Sequence, residues 1–295
     1  MSTDFLELLL KSFIVFLICS YAYKLFIPIL RKKLIDLPNV RSSHVKPTPT
    51  SGGIIFSIFG SLLSLIDGSW YLPTDSRNPF KEYEKEHIPK TTYLNLEVVS
   101  DQESKYPHMA PKSEDFSEKI CKLGINNHSR VVVYDSDGMF SAARIWWLFR
   151  LFGKQNVMIL DGGLPKWKAL GKMLTSKVNP IIEGDFISNY KPRIISNLDE
   201  VIRATNSSEQ IIDARAPGRF HGRLPEPREG LKSGHIPGSK NIFYADLLNA
   251  DKTFKKPEKI RSIFENANID FNKTIITSCG SGVTAAILFF ALEYV

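Results

Sequence analysis

The sequence predicts an α/β protein: tandem domains, each a parallel sheet flanked by helices, the second one C-terminally truncated, with a membrane helix in front. Two observations predict the tandem. Apolar segments ending in aspartate recur, IDGSW at 66–70 and IIDAR at 211–215, and His-Ile-Pro follows each of them, at 87–89 and 235–237. The apolar runs VVVYD (131–135) and IITSC (275–279) then recur, each leading through a glycine-containing loop into an alanine-rich helix, SAA at 141–143 and TAA at 284–286. Self-similarity of this kind marks a duplicated unit. Apolar runs alternating with helical patterns mean parallel strands joined by helical crossovers. A third observation predicts the membrane helix: Phe5 to Leu30 is apolar except for Glu7, Lys11 and Lys24.

Taken in order, residues 5–30 are long enough to cross a bilayer, which takes roughly twenty residues. Arg31, Lys32 and Lys33 follow the run and no small-residue cleavage site does. It therefore reads as an anchor with the following loop in the cytoplasm, not as a cleaved signal. Gly52 to Ile66 is too short for a second crossing, and its last residues belong to the first strand. That leaves the part of the chain from about residue 65 onward cytoplasmic and tethered to the inner membrane. The expected organisation is 1–64 as membrane segment and loop, 65–175 as a non-catalytic domain, 176–196 as linker and 197–295 as the catalytic domain. NLDEVIRATN (197–206) reads as the first helix of the second copy, with Asn197 as N-cap. The first copy runs on to VMILDGGLPKW (157–167), whereas the second reaches Val295 before any such strand, which is why it is expected to be truncated.

A net charge of +7 on 295 residues is modest, and no dense Lys/Arg run interleaved with aromatics occurs, which argues against nucleic acid as a partner. The cysteines Cys19, Cys121 and Cys279 have no paired spacing, so they read as neither a disulfide framework nor a zinc site. Cys279 stands apart. It ends a strand pattern and is followed by Gly280, Ser281 and Gly282, then by a helical pattern from Val283 to Val295. A sulfur at such a turn faces backbone N–H groups and the positive end of a helix, which favour the thiolate and make a nucleophile. Folds of this kind place function at the carboxyl ends of their strands. Asp135 holds that place in the first copy, so one copy presents a nucleophile and the other does not. The competing reading of Cys279 is a structural cysteine at a strand end.

Between about residue 65 and residue 295 the chain resembles the two-domain rhodanese superfamily, in particular its sulfurtransferases that use 3-mercaptopyruvate. The resemblance is carried by DGSWYLP (67–73), PHMAP (107–111), SAARIWWLFRLFG (141–153), GRFHG (218–222), PEPREGLKSGHIPGS (225–239) and CGSGVTA (279–285). It implies two rhodanese-like domains with the active site between them and sulfur carried as a persulfide on Cys279. It further implies that Ser281 and His108 relay protons, with Glu97 beside the histidine where the family usually has Asp. Arg219 and Arg228 match the arginines that grip the substrate's carboxylate and carbonyl, and Gly280, Gly282, Val283 and Thr284 complete the substrate loop. No metal or organic cofactor is implied, because the sulfur rides on the protein. The implied acceptors are cyanide, small thiols or a thioredoxin-type partner. The uncharged loop after Cys279 fits a monoanionic thiol donor better than the thiosulfate dianion, and the absence of an Arg after Cys279 argues against phosphoryl chemistry. His87 and His235 recur in both copies, which favours a structural turn role for them.

Residues 5–62, with DLPNVRSSHVKPTPTSGGI at 36–54, resemble the N-terminus of polyprenyl-phosphate glycosyl-1-phosphate transferases. The later catalytic loops of that family are missing, so this piece is expected to act as a tether or to be a fusion, and not to transfer sugar. The alternative for the whole chain is a catalytically weak or inactive membrane-tethered rhodanese module that binds a partner.

Overall fold

A computed structural model describes residues 35–36, 48–49, 63–228 and 231–295. Ile35–Asp36 (β1) and Thr48–Pro49 (β2) form a short antiparallel pair. The membrane run expected at 5–30 lies outside the described residues, as does the rest of the segment that resembles glycosyl-phosphate transferases apart from 35–36 and 48–49. Among the described residues no helix is long and apolar enough to cross a membrane.

From Leu63 onward the chain forms two parallel sheets. The first contains Leu63–Asp67 (β3), Thr91–Tyr93 (β4), Arg130–Tyr134 (β5) and Val157–Ile159 (β6), in the order β4-β3-β5-β6. The second contains Gln210–Asp213 (β7), Lys240–Asn241 (β8) and Ile275–Ser278 (β9), in the order β8-β7-β9. Every pairing in both sheets is parallel, as the alternation of apolar and helical patterns demands. Among the described residues the second sheet carries no strand beyond β9, at the place where β6 lies beside β5 in the first. The helices are Pro79–Lys85 (α1), Leu96–Val99 (α2), Ser113–Lys122 (α3), Ala142–Leu151 (α4), Gly163–Ala169 (α5), Leu198–Ala204 (α6), Pro217–Phe220 (α7), Pro257–Asn266 (α8) and Ala285–Tyr294 (α9).

Local chemistry starts and stops these elements. The Asn197 side chain accepts from Glu200 N while the Glu200 carboxylate accepts from Asn197 N, a reciprocal capping box that opens α6 where the sequence expects a helix. Asn78 caps α1 in the same sense, with a proline at its first position. The duplicated signatures fold alike. Asp67 accepts Ser69 N and Asp213 accepts Arg215 N, both at 2.9 Å, so each central strand ends in the same turn. His87 bonds Tyr83 O at 2.7 Å and stacks on the Tyr83 ring; His235 bonds Phe220 O at 2.8 Å and stacks on the Phe220 ring. Both histidines are structural, as their recurrence suggests.

Two features differ from the sequence expectation. The segment at 176–196 has little regular structure, yet it is strapped to the first sheet's module. Gly184 N donates to Cys121 O at 2.8 Å, Asn189 N donates to Phe152 O at 2.9 Å, and Phe186 is buried against Phe116. The segment carries Phe186 and Tyr190 among residues interrupted by Pro180, Gly184 and Pro192, and nothing in that pattern says which distant residues it packs against, so this anchoring is invisible in the sequence. The last helix also starts later than Val283, at Ala285, with Val283 and Thr284 forming a turn and Thr284 the N-cap.

α4 and α9 join the two halves. Every residue of α4 except Arg150 is buried, and α9 is apolar apart from Glu293 and Tyr294 at its exposed end. Helices of that kind belong inside a protein, not on its surface. They pack on each other, with the Trp146 and Phe290 rings edge to face at 5.0 Å. The same α4 begins directly above the first sheet and faces the Cys279 loop with its first turn, which is what builds the site.

Candidate active site

Cys279 stands directly after β9, half-buried, on a loop that ends at Thr284, the N-cap of α9. Gly282 N donates to its Sγ at 3.1 Å. The expectation of several converging N–H groups is thus met by one. The corresponding loop of the first copy is one residue longer and shows what the cradle does when filled: the Asp135 carboxylate accepts N–H from Asp137, Phe140, Ser141 and Ala142 at 2.8–3.0 Å. The first copy satisfies its own cradle with an internal anion, whereas the second leaves a sulfur there.

Two arginines flank the loop, one from each half. A Cβ added to Gly280 would stand 3.0 Å from Arg219 Nη2, and one added to Gly282 would stand 2.9 Å from Arg144 Nη1. The Gly-Ser-Gly sequence is therefore a clearance requirement as well as a turn. Arg219, on α7, is held by the Glu226 carboxylate, which also accepts Arg215 Nη1 at 2.7 Å; Arg215 in turn grips Asp213. Burial tends to raise the Glu226 carboxyl, but Arg219 and Arg215 outweigh it and keep it below its ordinary value. Arg219 is consequently presented by a buried ion-pair network, with part of its charge already matched. Arg228, of the second half, reaches toward the first, its guanidinium 5.9 Å from the centre of the Trp70 ring.

His108 and Glu97 meet as the resemblance implies: Nε2 and Oε1 are 2.8 Å apart, and Trp70 Nε1 donates to the same oxygen at 2.7 Å. The longer Glu side chain reaches because Asn95 caps α2 and places Glu97 in its first turn. Burial pushes the imidazole below its ordinary value, the Glu97 hydrogen bond offsets this only in part, and the Arg228 and Arg144 charges add to the depression. Burial works against the Glu97 carboxylate, yet hydrogen bonds from His108 and Trp70 hold it below its ordinary value. At neutral pH the pair is a neutral imidazole donating Nε2–H to a carboxylate. The other ring nitrogen, Nδ1, is buried without a partner among the described residues. His108 itself sits at φ 57°, an uncommon conformation for a non-glycine residue.

Not every expected residue is joined to this cluster. Ser281 is half-buried and makes no side-chain hydrogen bond among the described residues, so no direct link runs from it to His108. Val283 is buried in the core, and Thr284 caps α9 through its carbonyl to Ile287 N at 3.1 Å. Three participants went unread in the sequence: Trp70, Glu226 and Arg144. Each lies within a stretch that carries the resemblance. For Arg144 a local signal existed, since it is a lone cation in the first turn of an apolar helix.

Two parallel modules, a cysteine loop at the end of one sheet flanked by Arg219 and Arg144, and a His108–Glu97 pair in the other module are an arrangement that chemistry on a thiol could use. The chain belongs to the rhodanese-like family: the Rhodanese-like domain model matches residues 60–170 and 197–294. It is similar to human 3-mercaptopyruvate sulfurtransferase, at 40% identity over 229 residues, covering 77% of each chain. It is similar to the Escherichia coli K12 3-mercaptopyruvate sulfurtransferase at 37% over 232 residues, covering 78% of this chain and 82% of that one. Among solved structures, SseA from Escherichia coli, described with the rhodanese fold of 3-mercaptopyruvate sulfotransferases, superposes with a TM-score of 0.75 at 33% identity, covering 83% of this chain and 93% of that one.

Proposed function

We infer that the chain is a sulfurtransferase that takes sulfur from 3-mercaptopyruvate and passes it to a thiol or to cyanide through a persulfide on Cys279, with thiosulfate a poorer donor. The observation that carries this reading is Cys279 Sγ, cradled by Gly282 N–H on a loop that a guanidinium flanks on either side. The Cys279 thiolate attacks the substrate's sulfur. An S–S bond forms, the C–S bond breaks, and its electron pair stays on carbon as the enolate of pyruvate. The proton of the substrate thiol ends on that carbon, leaving pyruvate and the Cys279 persulfide anion. Arg219 and Arg228 suit the planar carboxylate and the developing enolate oxygen. His108, with Glu97 fixing its tautomer and Ser281 closing on the substrate, is the proton carrier. An acceptor thiol then takes the outer sulfur and returns Cys279 to the thiol form. Small thiols or a thioredoxin-type protein fit this step.

Incubation with 3-mercaptopyruvate followed by mass spectrometry tests the reading. A gain of one sulfur atom on the Cys279 peptide and release of pyruvate are expected, with both lost in Cys279→Ser. Pyruvate release by Cys279→Ser at the unsubstituted rate removes it. The apolar run at 5–30 supports a second proposal, that the enzyme is tethered to a membrane. Recovery of the full chain in the membrane pellet after alkaline carbonate washing is expected, and complete release into the wash overturns the tether.

A further inference from the structure

Arg144 occupies a place that suits a cation poorly. It stands in the first turn of α4, where the helix dipole disfavours positive charge. Its side chain is buried with 6% of the residue exposed, and burial pushes the guanidinium down to about 10. No carboxylate pairs with it among the described residues. Nη2 donates to His108 O at 2.5 Å, the guanidinium lies 4.3 Å from the centre of the Trp147 ring, and Nε has no partner among the described residues. Nη1 lies against the Cα of Gly282, the residue whose N–H holds the Cys279 sulfur.

We propose that Arg144 is a positioning residue for the transfer: the fixed counter-charge beneath the Cys279 loop, which holds the sulfur in its anionic form both before and after it takes up the second sulfur, and which pins the His108 peptide against that loop. The proposal rests on Cys279 being the nucleophile. A buried guanidinium without a carboxylate is left uncompensated whenever the sulfur is a neutral thiol, and is matched whenever the sulfur is a thiolate or a persulfide anion. The same cation draws on the His108 carbonyl, which helps hold that residue in its left-handed conformation. Arg144 thereby explains how a loop with no charged residue of its own can favour an anion: the charge comes from the other half of the molecule.

The test uses the full chain with Arg144→Met and Arg144→Lys, and Arg150→Met on the same helix as control. Alkylation of Cys279 by iodoacetamide is followed across the pH range by peptide mass spectrometry. In Arg144→Met the half-maximal rate is expected to move upward by about one pH unit, about tenfold slower near neutrality. Arg144→Lys moves it less, and Arg150→Met leaves it in place. A folded Arg144→Met with the unsubstituted profile overturns the proposal. Should that variant fail to fold, the Nε nitrogen resonance of Arg144 in the unsubstituted protein decides. It is expected to show an inflexion as Cys279 ionises, absent in Cys279→Ser, and a flat resonance overturns the proposal. Neither readout involves pyruvate, so failure here is distinct from failure of Cys279 as nucleophile.

Discussion

Asp67 and Asp213 end equivalent strands with opposite chemistry. Asp213 meets Arg215, whereas Asp67 is buried with hydroxyl and backbone partners only. Burial raises the Asp67 carboxyl to about 6, with the neighbouring Asp135 adding to the effect and the Ser69 hydrogen bonds opposing it. A folded-state value above the unfolded one means that the native state holds extra protons. The stabilisation is present at low pH and is lost as pH rises through about 6. Asp67→Asn, which keeps the acceptor oxygen, is therefore expected to be more stable than the unsubstituted protein at pH 7, by on the order of 3 kcal/mol. The advantage should disappear by about pH 4, and urea unfolding at the two pH values checks it. At this scale the candidate nucleophile proposed above stands out in the sequence because Cys279 sits on a glycine turn between a strand and a helix pattern. The His108–Glu97 pair was legible only through resemblance, since the two residues lie on separate elements and nothing in their spacing forces them together.

Among the elements, the Cys279 loop is the most tightly specified. Gly282→Ala must place a side chain at φ 77° with its Cβ 2.9 Å from Arg144 Nη1. The strained backbone alone costs about 1–2 kcal/mol. Pyruvate release is expected to fall by at least about a hundredfold while the far-UV circular dichroism is retained, because displacing Arg144 or the loop by even a fraction of an ångström disturbs the sulfur's position. Near-unsubstituted turnover would show that the clearance is not functional. α4 and α9 are the other decisive elements. Both read as helices from composition, yet their mutual packing did not, since an apolar helix carries no polar face to say which side meets which neighbour. Trp146→Ala opens a void between them and is expected to lower stability by about 3–5 kcal/mol in denaturant unfolding.

For the molecule from Leu63 onward, residues of both sheets and of α4 and α9 belong to one contiguous apolar cluster that includes Ile66, Phe149, Ile212 and Ile287. A single heat-absorption peak is expected in calorimetry of the chain, and two resolved peaks would show that the halves unfold independently. The sequence by itself determined the duplication, the parallel sheets, the turn histidines His87 and His235 and the glycine loop on which Cys279 stands. These are written in local patterns: apolar runs, aspartate turns, capping residues and a glycine loop. Only the tertiary structure decided that Glu226 holds Arg219, that the 176–196 segment is strapped down, and that a buried arginine of the first half lies against the cysteine loop of the second. Those relations depend on distance in space between residues far apart in the chain, and on the burial that makes an unpaired charge matter, and neither quantity exists until the two halves pack.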